Sequence, residues 1–521
     1  MSQRNPTKKK EFGDFQTPIY LANKIVSFLK QSGLAVSTIL EPTCGTGSFV
    51  LASLNHFPDA RIIGMDINEL YLQILERKIN ELDNQPKVTI EKQNFFEVDW
   101  QAVLGSLKKP LLIIGNPPWV TSSEIGLLNG SNLPQKSNIH DFSGFDSKTG
   151  KSNFDISEWM LITLLSGLNG FNATLAMLCK LSVARKVFRF VNKEQISITS
   201  SDIYLIDAKK YFNVTVDACL FVCKLQPFSH NYTCKIHENL HSNKIIQEIG
   251  YINQQLVANI PLYKKLNHLH GESIHTWRSG IKHDCVKVME LREKNNKLYN
   301  GFGELVSIED TYLYPMLKGS DLANNRVNNI SRWMLVTQTK IGEKTASIKE
   351  KAPKTWEYLE KYSDELNQRA STVYQNKPKY SIFGVGDYSF SLWKIGIAGL
   401  YKQLDFRLIK PFNGKPVVLD DTCYFLPANS LAEAIILHVL YNHKLAVDFY
   451  KSFIFWDSKR PITKGLLKKL DLVKLIEEIK VATILKIIER EYPEIASDTA
   501  EFILNKFLRG NQKDELLINY F

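Results

Sequence analysis

Apolar positions recur at helical spacing in TPIYLANKIVSFLKQSG, with Pro18 in the first turn and Gly33 just past the end. The pattern then alternates between short branched-apolar runs and amphipathic ones. STILEP, ARIIGMDI, KVTIEKQ and LLIIGN predict strands; TGSFVLASLNHF and ELYLQILERKINELD predict helices. Strands alternating with helices predict a parallel sheet with helices on both faces. From Thr121 to Phe154 the periodicity lapses into a Ser-, Asn-, Gly- and Lys-rich stretch, which predicts a mobile loop. The alternation resumes with ISEWMLITLLSGL, ATLAMLCK, IYLIDAKKYF and DACLFVCKL. After about Pro227 the texture turns to mixed strands and helices with many aromatics. There AEAIILHVLYNHKLAVDFY predicts a core helix, and LLKKLDLVKLIEEIKVATILKIIEREY a long amphipathic helical stretch. The expected organisation is a basic disordered tail over 1–10, an α/β domain over 11–240 and a mixed α+β domain over 241–521.

Composition narrows the class. With 521 residues and 44% hydrophobic content, the chain can bury large cores. A net charge of +11 suggests a polyanionic partner, most often nucleic acid. The seven cysteines are scattered and odd in number, which excludes a disulfide framework and points to a reducing cytoplasm. Cys219, Cys223, Cys234 and His237 could be drawn as a zinc site. Their spacing matches no common zinc module, and VDACLFVCKL alternates as a strand does, so no metal is expected. No apolar run reaches a membrane span, and MSQRNPTKKKEF lacks the apolar core of a signal peptide.

Two places carry chemistry. ILEPTCGTGSFV runs a strand into a glycine-containing turn and a helix, where Gly45 and Gly47 let the backbone approach a ligand closely. Asp66, with Ile67 beside it, ends the next strand about 20 residues on, where an acid can bind ribose hydroxyls. The third glycine of the dinucleotide fingerprint is missing, which disfavours NAD and leaves an adenosine-containing ligand. The second place is Asn116-Pro117-Pro118-Trp119, after the buried strand LLIIG. An exocyclic amino group on an aromatic ring is a poor nucleophile because its lone pair is delocalised. The Asn116 side-chain oxygen and the Pro117 carbonyl are two acceptors for its hydrogens, fixed in advance by a proline-stiffened elbow. Trp119 offers a flat face on which a heterocycle can stack.

With these motifs the chain resembles the S-adenosylmethionine-dependent DNA adenine-N6 methyltransferases of restriction–modification systems, in the gamma motif order, over nearly its whole length. The resemblance implies a Rossmann-like class I methyltransferase sheet followed by a target-recognition domain. FGDFQTP resembles the motif at the methionine end of the cofactor and points to Thr17. LEPTCGTG resembles the first motif, which implicates Glu41, Thr43, Gly45 and Gly47, and Asp66 matches the ribose-binding acid. QNFFEVDW resembles the adenine-holding motif, with Asn94 where an Asp is usual and Phe95 packed on the ring. KSNFDISEWML implies Phe154 beside the cofactor adenine. KYFNVTVDACLFV implies Phe212 on the far face of a flipped target base, opposite Trp119. YPMLKGSDL, SIFGVGDYSF, DDTCYFLP and WDSKRPIT resemble target-recognition segments. Lys394, Lys459 and Arg460 are the expected phosphate contacts. The implied cofactor is S-adenosylmethionine and the implied partners are double-stranded DNA and a separately encoded restriction endonuclease.

Three other readings stay open. N4-cytosine methylation could use the same elbow, although Asn at 116 and the motif order favour adenine. Relatives that methylate a protein glutamine or RNA share the Asn-Pro-Pro chemistry, but seldom carry so long a C-terminal half. A non-catalytic DNA-binding module is disfavoured by the intact motif.

Overall fold

The computed structural model describes residues 16–82, 87–120, 155–242 and 244–509. The expected tail over 1–10, the expected loop over 121–154 and Phe154 lie outside them. The chain forms two compact units, Met1–Ile260 and Pro261–Phe521.

The first unit is built on one ten-stranded sheet. Its strands are β1 (Thr38–Glu41), β2 (Arg61–Asp66), β3 (Val88–Lys92), β4 (Leu111–Gly115), β5 (Ala173–Lys180), β6 (Ile198–Ile206), β7 (Ala218–Leu225), β8 (Thr233–His237), β9 (Ile245–Ile252) and β10 (Gln255–Val257). They lie in the order 10-9-8-6-7-5-4-1-2-3. Strands β1 to β5 are mutually parallel, as the alternation predicts. Strand β7 is antiparallel to both β5 and β6, which the apolar pattern alone does not reveal. Because β9 and β10 extend this same sheet, the first unit runs past the expected boundary at 240.

The helices are α1 (Ile19–Gln31), α2 (Ser48–His56), α3 (Glu69–Asn80), α4 (Trp100–Ser106), α5 (Ile156–Leu168), α6 (Leu181–Lys193) and α7 (Ala208–Phe212). Helix α1 buries Leu21, Ala22, Ile25, Val26 and Leu29 in a core shared with Phe49 and Val50 of α2 and with Ile62, Leu112, Ile114, Ala176 and Leu178 of the sheet. Helices α4 and α6 fall between strands that the pattern places next to one another. Two buried residues, Trp100 and Leu104, are too few to give α4 a period; Asp99 starts it by accepting from the Ala102 amide at 3.0 Å. Helix α6 does carry a legible stripe, Val183, Ala184, Val187, Phe188 and Val191.

The second unit is mixed α+β. A four-stranded antiparallel sheet joins Arg278–Ser279, Cys423–Ala428, Trp393–Ala398 and Arg407–Ile409, and a six-stranded sheet includes Glu290–Lys294, Leu313–Leu317 and Arg332–Leu335. The expected core helix at 432–450 is two helices, Leu431–Asn442 and Lys444–Lys451, the second capped by His443 Nδ1 accepting from the Leu445 amide. The expected long C-terminal stretch is broken too. Asp471 accepts from the Val473 and Lys474 amides to start Leu472–Ile479, and Lys480 at φ 75° separates that helix from Val481–Glu491. Among the described residues no helix is long and apolar enough to cross a membrane.

Candidate active site

Sheet register brings the two chemical stretches to one edge. Strand β1 lies between β2 and β4, with Glu41 opposite Gly64 and Leu40 opposite Ile113. The glycine turn after β1, the acid ending β2 and Asn116 after β4 therefore leave the sheet at the same carboxyl end, where parallel α/β sheets bind ligands.

The turn is held from three sides. Gly45 at φ 53° and Gly47 at φ 85° adopt left-handed conformations. The Asp66 Oδ2 accepts from the Gly45 amide at 2.8 Å, while its Oδ1 accepts from the Asn68 amide at 2.8 Å. Gln16 Oε1 accepts from the Thr46 amide at 3.1 Å, and Ser48 Oγ donates to the Thr17 carbonyl at 2.7 Å. Glu41 Oε2 accepts from the Val50 amide at 3.0 Å, in the first turn of α2. Glu41 is 3% exposed, and burial raises its carboxyl well above the usual carboxylate range.

Beside the turn lies an open cleft lined by Gln16, Thr17, Glu41, Thr43, Cys44, Gly45, Ser48 and Asn116. Five of them are expected site residues, Thr17, Glu41, Thr43, Gly45 and Asn116. Gln16, Cys44 and Ser48 are additions; the FGDFQTP motif that pointed to Thr17 contains Gln16 as well, and a polar residue tied to Thr46 is its signal. The Thr43 Oγ1 is buried with no hydrogen-bond partner, an acceptor and donor turned inward beside the cleft. A donor set of this kind, with two glycines and two acids at a strand end, fits a polar adenosine-containing cofactor.

Other expected residues sit differently. Ile67 is exposed beside Asp66. The Asn94 amide donates to Glu97 Oε1 at 2.8 Å and its carbonyl accepts from the Phe96 amide at 3.2 Å, so this side chain shapes its own turn. Phe95 is 6% exposed and packs against Trp100 with ring centroids 4.5 Å apart.

After β4, Pro117 is buried and Asn116 and Pro118 are half-buried. Trp119 is 5% exposed; its Nε1 donates to the Leu178 carbonyl at 3.4 Å, and its ring meets Phe212 edge to face. The two rings thus touch each other, instead of facing each other across a gap. Lys394 corrects another expectation. It is 0% exposed, with Nζ on the Ser391 carbonyl, so it cannot reach a phosphate. Burial lowers its pKa to about 7. Lys459 and Arg460 are exposed, and Arg460 donates to the Tyr424 hydroxyl at 3.3 Å. Among the described residues no His, Cys, Asp and Glu cluster could hold a metal ion. Of the zinc candidates, Cys219 and Cys223 lie in β7, and His237 Nε2 is 2.9 Å from Asp202 Oδ1.

The sheet order, the glycine turn, the strand-end acid and the Asn-Pro-Pro-Trp elbow define the class I methyltransferase fold. The sequence model described as N-6 DNA Methylase matches residues 1–165. The type II methyltransferase M.NspV of Nostoc sp. is 49% identical over 473 residues, 90% of this chain and 98% of that protein. M.VspI of Vibrio sp., also a type II methyltransferase, is 32% identical over 130 residues, 25% of this chain and 28% of that protein. The type IIL restriction–modification enzyme MmeI, solved in complex with DNA, has a similar fold at 15% identity, with a TM-score of 0.50 over 97% of this chain and 72% of that one. The chain belongs to the type II methyltransferases of restriction–modification systems, the family of M.NspV.

Proposed function

We propose that this protein methylates the N6 amino group of adenine at one short sequence in duplex DNA, with S-adenosylmethionine as donor, and so shields host DNA from a separately encoded endonuclease. The observation that carries the reading is Asn116-Pro117-Pro118-Trp119 at the end of β4, with Asn116 lining the cleft formed by the glycine turn. Thr17, Glu41, Thr43 and Gly45 would hold the methionine end of the cofactor, Asp66 its ribose, and Asn94, Phe95 and Phe154 its adenine. Bound there, the cofactor supplies a methyl group on a sulfonium that leaves as a neutral thioether.

The target base must leave the helix to reach this edge. Asn116 Oδ1 and the Pro117 carbonyl accept the amino hydrogens of the base and favour a pyramidal nitrogen with an available lone pair; once that nitrogen carries the methyl group, it releases one of these hydrogens as a proton to solvent. The rigid elbow needs no reorganisation at the moment of reaction. Trp119 and Phe212 supply the stacking surfaces. The second unit reads the sequence, and Lys459 and Arg460 help hold the backbone.

The test is expression in a host without DNA methylation, beside Asn116→Ala, with modified bases mapped by single-molecule sequencing. N6-methyladenine in one motif, absent from the mutant, is the expected result. N4-methylcytosine would move the assignment to the other base. Unmodified DNA from a soluble, cofactor-binding protein would redirect it to protein or RNA.

A further inference from the structure

Three chain segments meet at the end of β5 and the first residue of α6. The Leu178 carbonyl accepts from the Trp119 indole. Lys180, the final residue of the strand, places its Nζ 2.7 Å from Asp155 Oδ2. Leu181 donates its amide to the Asp217 carbonyl at 2.8 Å, at the entry to β7 and five residues after Phe212.

Asp155 is the hinge of this arrangement. Its Oδ1 accepts from the Ser157 amide at 3.1 Å and from the Ser157 hydroxyl, which caps α5. The next residue, Ile156, donates its amide to the Val120 carbonyl at 2.9 Å. Val120 immediately follows Trp119. The Asn-Pro-Pro-Trp elbow is thus tied to β5 twice: at Trp119 through Leu178, and at Val120 through Ile156, Asp155 and Lys180.

We infer that Lys180 is a positioning residue for the methyl transfer, acting through Asp155 and Ile156 to set the elbow that carries Asn116. The competing account is an ordinary helix cap with a surface ion pair. Burial argues against it: the Asp155 side chain is 8% exposed and that of Lys180 23%, so solvent screens this pair poorly. Without the ammonium the buried carboxylate is left to the neutral Ser157 donors, and the cap is free to shift. A shift of the cap moves Val120, and reaction rates fall steeply with small errors in the placement of reacting groups.

The inference rests on the proposed DNA methylation, so the test includes a readout independent of it. Lys180→Ala, Lys180→Arg and the charge-neutral pair Lys180→Met with Asp155→Asn are compared with wild type. Single-turnover methylation, S-adenosylmethionine affinity by calorimetry, KM for DNA and hydrogen exchange at the Ile156 amide are measured. Lys180→Ala is expected to lower the single-turnover rate by roughly 10- to 100-fold and to speed exchange at Ile156, with cofactor affinity and KM within about twofold. Lys180→Arg restores most of the rate, and the neutral pair, which keeps the fold without a buried charge, stays slow. An unchanged rate in Lys180→Ala overturns the inference. So does a loss of cofactor affinity in parallel with the rate in every variant, which signals general unfolding. If the wild type binds cofactor yet methylates no DNA, the functional reading fails, and Ile156 exchange alone decides for or against the tie between Lys180 and the elbow.

Discussion

The rings of Trp119 and Phe212 meet edge to face, with centroids 5.1 Å apart and planes inclined at 65°. A base stacked between two rings needs about 3.5 Å on each side, so the pair must part before a target can enter. Phe212 is the freer partner: it is half-buried at the end of a five-residue helix, followed by Asn213 at φ 56°. Trp119 is held by Leu178 and is nearly buried. Phe212→Ala should therefore weaken the complex with DNA by roughly 10- to 100-fold, the worth of one stacked base, with cofactor affinity unchanged. A 2-aminopurine at the target position reports it, and undiminished stacking in the mutant would remove Phe212 from the base site.

Asn116→Ala keeps the elbow prolines and removes one acceptor. Methylation should fall by roughly 10²- to 10³-fold or more, as when one preorganised polar group is deleted from an active site. Cofactor affinity, measured by calorimetry, should barely change. Ordinary turnover would sink the catalytic assignment.

Thr43 separates stability from binding. An unpartnered buried hydroxyl costs about 1–3 kcal/mol in the ligand-free fold. Thr43→Val keeps the shape and removes the orphan, so the melting temperature should rise. The same change should weaken S-adenosylmethionine binding roughly tenfold, the worth of about one hydrogen bond. A mutant that binds as tightly as wild type would place Thr43 outside the cofactor contacts.

Gly47 tests the turn. A methyl group there would overlap Leu75 Cδ1, on a backbone at φ 85°. Leu75 is fully buried, so its side chain must repack among its neighbours to make room. Gly47→Ala should cost roughly 1–3 kcal/mol for the backbone alone, and more for the displaced leucine. Denaturant unfolding measures it; a neutral result would mean that the turn relaxes freely.

Lys394 gives a pH signature. Its pKa falls from 10.5 to about 7 in the fold. Between those values the unfolded chain holds the proton and the folded chain releases it. Stability from this position therefore rises as the pH climbs from about 7 towards 10.5, and is lowest below 7. At about 1.4 kcal/mol per pK step the penalty at neutral pH is at most roughly 4 kcal/mol. Lys394→Met should be more stable than wild type at pH 7, and the difference should shrink by pH 10. A difference that is constant with pH would show that the lysine keeps its proton.

The sequence by itself determined the strands β1 to β5 and the ends at which chemistry sits. Branched apolar runs closed by Gly45, Asp66 or Asn116 are local signals, and a parallel sheet follows once helices alternate with them. Thr17, Glu41, Thr43 and Gly45 could be placed because their motifs are contiguous. Tertiary structure decided what contiguity cannot encode. Lys394 looks like any surface lysine until the fold encloses it completely and turns its Nζ onto the Ser391 carbonyl; pairing within the strand fixes the backbone, and only packing on the sheet face buries the side chain. The antiparallel course of β7 follows from the short return from β6, which inserts it between β6 and β5. The contact of Trp119 with Phe212, 93 positions apart, and the tie between Lys180 and Asp155 exist only because the sheet order β6-β7-β5-β4 gathers their segments. Residue type and period are written along the chain; burial and partnership are set by the packing of segments distant in it.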